Sequence, residues 1–369
     1  MEFSDASLLI IAGGKSSRMG RDKRFLPYDG EGLLERLARR AAALPFVPFA
    51  ERCLCVEERM PALQDIAERY GLTLVEDGVQ GRGPMEGLMR GLSQIEADYA
   101  LAVSCDMPFL ELAELRPLLK AAEEGSCQAV LPRAGRRQPL AALYRRDLSA
   151  RFAEALARGE RKLGIVIDSV PHAYVDFPDA ALFFNVNTVA DWHLACGRMA
   201  NERRSRPLVT ISAPVSNTGK TTFIERVLPE LRARGIRVGV VKGDCHGYDV
   251  DERGKDSWRF KEAGAAGVAV VSPNGYFIEQ RTETRADLVA IAARLTDVDL
   301  VLIESRRHGT APRIELFRER GELTLPCDAA ACFTKPQQGL TEVREYALDD
   351  AVKAAEVIAF LMGNKRIGV

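Results

Sequence analysis

The chain has 369 residues, 47% hydrophobic and 28% charged, with a formal net charge of −1. That length suits two cores better than one, and the near-neutral balance provides no field to draw nucleic acid or an acidic membrane. No apolar run approaches the ~18 residues of a spanning helix, and the opening MEFSDASLLIIAGG lacks the basic segment and long apolar core of a signal peptide, so a cytoplasmic protein is expected.

The first expected element is the strand SLLIIA, ending at Ala12. It runs into Gly13 and Gly14, which let backbone N–H groups approach an anion closely. Lys15, Arg18, Arg21, Lys23 and Arg24 follow within ten residues. Amides for short hydrogen bonds and cations for net charge are what a triphosphate needs. A solvated charged turn would carry the same residues, so this stretch alone is a weak signal. Next come the helical patterns GLLERLARRAAAL and PMEGLMRGLSQI, and the buried strand YALAVSCD. The alternation predicts an α/β, doubly wound domain with helices on both faces of a parallel sheet. Asp77 and Asp106 each follow an apolar run, at the strand ends where open α/β sheets bind ligands. A carboxylate there suits Mg²⁺, which takes one or two carboxylates plus waters and substrate phosphates. Asn185 and Asn187 in FFNVNTVADW add neutral oxygen donors.

The stretch GRMANERRSRP has no apolar period and ends in Pro207. It predicts a linker at 198–206 between a domain over 1–197 and a second over 207–369. The strand LVTIS follows, then PVSNTGKTT, which matches G-x-x-x-x-G-K-[ST] except at Pro214. Ser216, Asn217, Thr218, Gly219, Lys220, Thr221 and Thr222 would form this phosphate loop. Lys220 would reach the β- and γ-phosphates and Thr221 would ligate Mg²⁺. Asn217 tolerates positive φ and stands in for a loop glycine. IRVGVVKG, DVDLVLIES and AAACFT predict further strands, and residues 348–362 a last helix, giving a second doubly wound domain with a P-loop NTPase fold.

Eight cysteines, none in a C-x-x-C pair, predict reduced thiols and no disulfide frame. Cys245–His246 has no second pair at ligand spacing, so it reads as a loop thiol and imidazole.

Taken in order, IAGGKSSRMGRDKRFL, VEDGVQGRGPMEGL, SCDMPFL, RRQPLAALY and FNVNTVADW resemble the molybdenum cofactor guanylyltransferases, the MobA family, over about residues 6–196. The resemblance implies a nucleotidyltransferase Rossmann-like fold and transfer of GMP from GTP to molybdenum-molybdopterin, with release of pyrophosphate. It implies that Ile11, Ala12, Gly13 and Gly14 form the nucleotide loop. Lys23 would contact the GTP phosphates with Arg18 beside it, Asp77 would contact the nucleotide, and Asp106 would hold Mg²⁺ with Asn187 as a second candidate. Asp106, Lys23 and Arg18 are then the catalytic set. Arg133, Arg136 and Arg137 form either a platform for the pterin phosphate or a basic hairpin turn. The family often has an asparagine near the end of its second strand, where this chain reads CLCVEERM. Glu57 or Glu58 could accept from guanine N1–H and N2–H there, or be a solvated glutamate.

Residues 207–362 resemble the MobB family of GTP-binding adaptors through GKTTFIERVLPELRARGIRVGVVK, DVDERGKDSWRFKEAGA and DVDLVLIESRRH. This implies GTP binding, support of Mg²⁺ or its water shell by Glu304, and weak GTP hydrolysis as a candidate activity. A homodimer through this domain is a candidate assembly. A molybdenum insertion protein and recipient molybdoenzymes are candidate partners. GDCHGYD and Ser305 depart from the family's histidine-rich turn and glycine. Two other classes stay open: a nucleotidyltransferase acting with CMP or on a sugar phosphate, and a non-catalytic cofactor carrier. AGG in the first loop favours guanylyl over cytidylyl transfer. Lys23 and Asp106 argue against a carrier, which needs no metal site at a triphosphate.

Overall fold

The computed structural model describes residues 1–13, 19–43, 49–243, 252–306, 311–319, 328–335 and 337–363. They divide into two compact units, Met1–Trp192 and His193–Val369.

The first unit opens with β1 (Ala6–Ile11), the short pair β2 (Pro27–Tyr28) and β3 (Glu31–Gly32), α1 (Leu33–Ala42), β4 (Arg52–Val56) and α2 (Pro61–Tyr70). Then come β5 (Thr73–Glu76), α3 (Pro84–Gln94), β6 (Tyr99–Ser104) and α4 (Arg116–Glu124). It continues with β7 (Ala129–Ala134), β8 (Arg136–Arg137), β9 (Ala141–Arg145), α5 (Leu148–Ala157), α6 (Leu163–Asp168) and β10 (His172–Asp176). The main sheet has the order β10-β7-β9-β6-β1-β4-β5, with β8 paired to β7. Every residue of β1 is buried. Leu8 and Ile10 join one core with Leu54, Val56, Leu101 and Val103, while Leu9 and Ile11 join the other with Cys53, Cys55, Ala100 and Ala102. Side chains alternate faces along a strand, so a continuous apolar run requires cover on both sides.

The expectation of a parallel sheet holds for β1 with β4 and β6, but β9 is antiparallel to both β6 and β7. The connection from β7 to β9 spans only residues 135–140, too few for the helical crossover that a parallel neighbour needs.

The second unit carries a six-stranded parallel sheet in the order β12-β15-β11-β16-β17-β18. Its elements are β11 (Leu208–Ser212), α8 (Lys220–Ala233), β12 (Val238–Lys242), α9 (Asp256–Glu262), the antiparallel hairpin β13 (Gly267–Ser272) and β14 (Gly275–Gln280), and α10 (Leu288–Ala293). There follow β15 (Leu300–Glu304), β16 (Arg313–Phe317), β17 (Ala331–Thr334), β18 (Glu345–Ala347) and α11 (Ala351–Met362). The neighbouring strands β11 and β15 are wholly buried.

The expected linker at 198–206 is helical in its first half. Helix α7 spans Val189–Glu202 and runs across the unit boundary. Its second half is built into the second unit. Fully buried Asn201 accepts from Leu208 N and donates to the Leu208 and Leu361 carbonyls, at 3.0, 3.1 and 2.9 Å. The Arg198 guanidinium lies 5.0 Å from the Phe360 ring centroid. Polar residues hid this helix because they are held by tertiary partners rather than by an apolar stripe.

Helix α3 approaches the sheet at Gly91, where a Cβ would stand 2.8 Å from Cys55 Sγ and 2.9 Å from Leu9 Cδ1. Both neighbours are fully buried. Gly91→Ala should therefore lower the stability of the first unit by about 1–2 kcal/mol, overpacking outweighing the gain in helix propensity. Denaturant unfolding checks this, and an unchanged or raised midpoint would refute the close approach.

Candidate nucleotide sites

The winding of the first sheet reverses at β1, which is flanked by parallel β4 and β6. Such a reversal leaves a crevice beyond the carboxyl ends of the strands. Ile11 is in register with Cys55 and Ser104, and Val56 with Glu76. Three bonds extend these ladders: Ala12 N to Cys55 O, Asp77 N to Val56 O, and Cys105 N to Ile11 O, at 2.8, 2.9 and 3.4 Å. Gly13, Glu57, Asp77 and Asp106 consequently leave the sheet at one edge. A Cβ on Gly13 would lie 3.6 Å from Asp77 Oδ2 and 3.9 Å from Glu57 N, so glycine keeps that crevice open.

Lys23 Nζ donates to Asp106 Oδ2 at 2.6 Å, and both side chains are largely buried. Lys23 begins a 3-10 turn capped by Asp22, whose Oδ1 accepts from Arg24 N at 3.0 Å. Arg24 pairs with Asp22 and also donates to Ala12 O at 3.3 Å, tying this turn to the end of β1. Asp106 Oδ1 is buried and has no hydrogen-bond partner among the described residues. A buried orphaned carboxylate oxygen fits a cation better than it fits solvent exclusion alone. Val186 N donates to Asp106 O at 2.9 Å, which brings the segment carrying Asn187 beside Asp106. Asn187 itself is exposed, with its backbone N–H held by Asp191 Oδ2 at 3.0 Å. Asn185 instead donates to Phe183 O.

Asp77 is the perturbed group of this edge. Burial, followed by the charges of Glu86 and Glu57, pushes its carboxyl up to about 7, with Arg90 opposing them. Glu57 Oε1 accepts from Gly81 N at 2.8 Å and so ties the loop after β5, while Glu58 is exposed. Gly14 and Arg18 lie outside the described residues, as does the Cys245–His246 pair. The arginines of the β7–β8 hairpin turn face carboxylates: Arg133 pairs with Asp176 and Arg137 with Asp168, both at 2.6 Å. Arg136 is exposed. Glu86 and Arg90 had no sequence signal as site residues, since an acidic residue in a first helical turn and a basic residue within a helix are ordinary.

In the second unit the loop between β11 and α8 has the expected form. Asn217 sits at φ +61° and Gly219 at φ +98°, the left-handed region that asparagine and glycine tolerate. Thr218 Oγ1 donates to Val215 O at 2.9 Å. Thr221 Oγ1 donates to Glu304 Oε1 and Oε2 at 3.1 and 3.2 Å, and Lys242 Nζ lies 3.7 Å from Glu304 Oε2. While the Thr221 hydroxyl donates its hydrogen bond to Glu304, its oxygen lone pairs remain available to a cation. Arg306 donates to Ser216 Oγ and Pro214 O at 3.3 and 3.2 Å, fastening the loop at the position where proline replaces glycine. No group of three or more His, Cys, Asp or Glu side chains placed to hold a metal ion is present among the described residues.

Residues 8–172 match the family of MobA-like NTP transferase domains, and residues 208–332 match molybdopterin guanine dinucleotide synthesis protein B. A "probable molybdenum cofactor guanylyltransferase" of Mycobacterium avium is 33% identical over 190 residues, covering 50% of this chain and 91% of the relative. A namesake from Mycobacterium tuberculosis is 33% identical over 194 residues, 90% of its length. Among solved structures, molybdopterin-guanine dinucleotide biosynthesis protein A from Archaeoglobus fulgidus is 22% identical with a TM-score of 0.43, covering 50% of this chain and 94% of that one. Bacillus subtilis MobB is 22% identical with a TM-score of 0.35, covering 43% and 99%.

The raised Asp77 carboxyl has a consequence for stability. Its folded value, about 7, lies above the ordinary aspartate value of 3.8. The folded state therefore binds the extra proton between those values, and stability falls as pH rises through that window. Asp77→Asn removes the penalty. It should raise the melting temperature of the ligand-free protein at pH 8 and leave it nearly unchanged at pH 4. Equal shifts at both pH values would contradict the burial and repulsion described.

Proposed function

The chain belongs to the molybdenum cofactor guanylyltransferases through its first unit and carries a second segment matching molybdopterin guanine dinucleotide synthesis protein B; from this we infer that the first unit transfers GMP from GTP to molybdenum-molybdopterin while the second binds GTP and assists. The observation that supports the transfer site best is the Lys23–Asp106 pair at the edge of the crevice, with Asp106 Oδ1 left without a partner.

The terminal phosphate of molybdopterin attacks the α-phosphorus of GTP, and pyrophosphate leaves. The nucleophile is already charged, so the chain need not supply a strong base. What it must supply is alignment of two anions and compensation of the charge that builds on the leaving group. Gly13 lets the backbone close on the phosphates. Lys23 neutralises Asp106 while the site is empty and turns toward the triphosphate when one arrives. Asp77, once ionised, accepts from the nucleotide's N–H or O–H donors. Asp106, with Asn187 beside it, would hold Mg²⁺, which when bound adds positive charge at the phosphate oxygens. In the second unit Thr221 and Glu304 would hold a second Mg²⁺, and Lys220 would meet the β- and γ-phosphates. No helix among the described residues is long and apolar enough to cross a membrane.

The test is pyrophosphate release from purified protein given Mg²⁺, molybdenum-loaded molybdopterin and GTP, ATP or CTP in turn. GTP should be used and the others poorly; comparable kcat/KM with CTP would favour cytidylyl transfer. Asp106→Asn should leave a folded protein whose transfer rate falls at least a hundredfold, an effect of about 3 kcal/mol at the transition state. Turnover near that of the parent would remove Asp106 from the mechanism. Lys220→Ala should weaken GTP binding by the second unit yet leave guanylyl transfer to supplied cofactor within about twofold, as independent sites do. Loss of transfer at saturating substrate would place the P-loop inside the catalytic cycle.

A further inference from the structure

Glu86, in the first turn of α3, is 2% exposed. Its Oε1 accepts from Gly78 N at 3.1 Å, drawing the loop after β5 onto the helix that follows it. Its Oε2 is buried without a hydrogen-bond partner among the described residues, with Arg82 Nη1 at an ion-pair distance of 3.6 Å. An exposed glutamate in a helix's first turn is ordinary, but a buried one with an open oxygen is not. Gly78 directly follows Asp77, and Asp77 Oδ1 is itself buried without a partner. That oxygen lies 3.4 Å from where a Cβ on Gly87 would stand. Two carboxylates, each with an open buried oxygen, thus share one corner of the crevice. The groups facing Asp77 are Glu86 and Arg90 from α3, Glu57 and the Cys55 thiol from β4 and its end, and Glu76 from β5.

We propose that Glu86 is a positioning residue of the first site: it anchors the Asp77 loop through Gly78 and, by opposing the Asp77 carboxylate, couples nucleotide binding there to loss of a proton from Asp77. This rests on the reading that Asp77 contacts the nucleotide. With its carboxyl at about 7, Asp77 is partly protonated at neutral pH in the empty site. Only the ionised form accepts hydrogen bonds at both oxygens, so donors on the nucleotide favour it and release the proton. Burial first, and after it the repulsion from Glu86, favours the protonated form in the empty site, and the open oxygens keep it receptive to donors.

The experiment is calorimetric titration of the full chain with GTP from pH 6 to pH 8, in buffers of different ionisation enthalpy. The Lys220→Ala background silences the second site. Affinity should fall roughly tenfold from pH 8 to pH 6, as a single proton at about 7 dictates, with proton release on binding. Glu86→Gln keeps an acceptor for Gly78 N but removes the charge. It should shift the fall to lower pH, so that affinity at pH 6 is roughly threefold or more above that of the parent. Glu86→Ala should weaken binding at every pH because the loop is untethered. Arg90→Met removes the opposing charge and should shift the fall to higher pH, a readout that stands even if Glu86→Gln fails to fold. Profiles for Glu86→Gln or Arg90→Met that superimpose on the parent would overturn the proposal. Unaltered GTP affinity in Asp77→Asn would instead overturn the reading of Asp77 as a nucleotide contact.

Discussion

Strand β1 is hydrogen-bonded on both edges and buried on both faces. Its neighbours lead the chain in opposite directions across the sheet, so the loops after β1 and β6 cannot close over each other. Gly13 and Asp106 are therefore held at a fixed spacing by the register of backbone ladders rather than by loop conformation. Lys23 and Arg24 return to this edge in the 3-10 turn that follows β1 in sequence. The residues at this edge that follow β1, β4 and β6 take their spacing from this strand.

The electrostatics of the edge are incomplete by design of the fold. Lys23 satisfies one oxygen of Asp106 and leaves the other open, and Asp77 and Glu86 each keep an open oxygen. Buried acceptors without donors raise the free energy of the empty site. A ligand that brings N–H donors, or a cation bound with phosphates, relieves that cost on arrival. At the loop after β11, Glu304 accepts from Thr221 and is approached by Lys242.

Sequence reading recovered what depends on local chemistry. The apolar run of β1, the glycines after it and the acidic strand ends were legible because burial and strand ending are written in adjacent residues. The P-loop was legible despite Pro214, because Asn217 meets the same φ demand as glycine and Thr221 and Glu304 keep their chemistry. The antiparallel β9 was not, since strand direction depends on where a neighbouring strand lies, and an apolar run reads alike in both directions. Residues 198–202 were taken for linker because their partners, Leu208, Phe360 and Leu361, are brought to them only by the folded sheet and its last helix.

The amino-acid sequence by itself determined the two α/β units and offered Lys23, Asp77, Asp106, Lys220, Thr221 and Glu304 as candidate site residues. Each is tied to a strand end or helix start that hydrophobic period and turn chemistry define. Tertiary structure alone decided that Lys23 pairs with Asp106, 83 positions away, that Arg133 and Arg137 are matched by Asp176 and Asp168, and that Glu86 is buried against the Asp77 loop. Charge pairing and burial depend on distance in space. A chain does not encode that distance locally; it is set when β1, β4, β5 and β6 lock into register and α3 settles on them through Gly87 and Gly91.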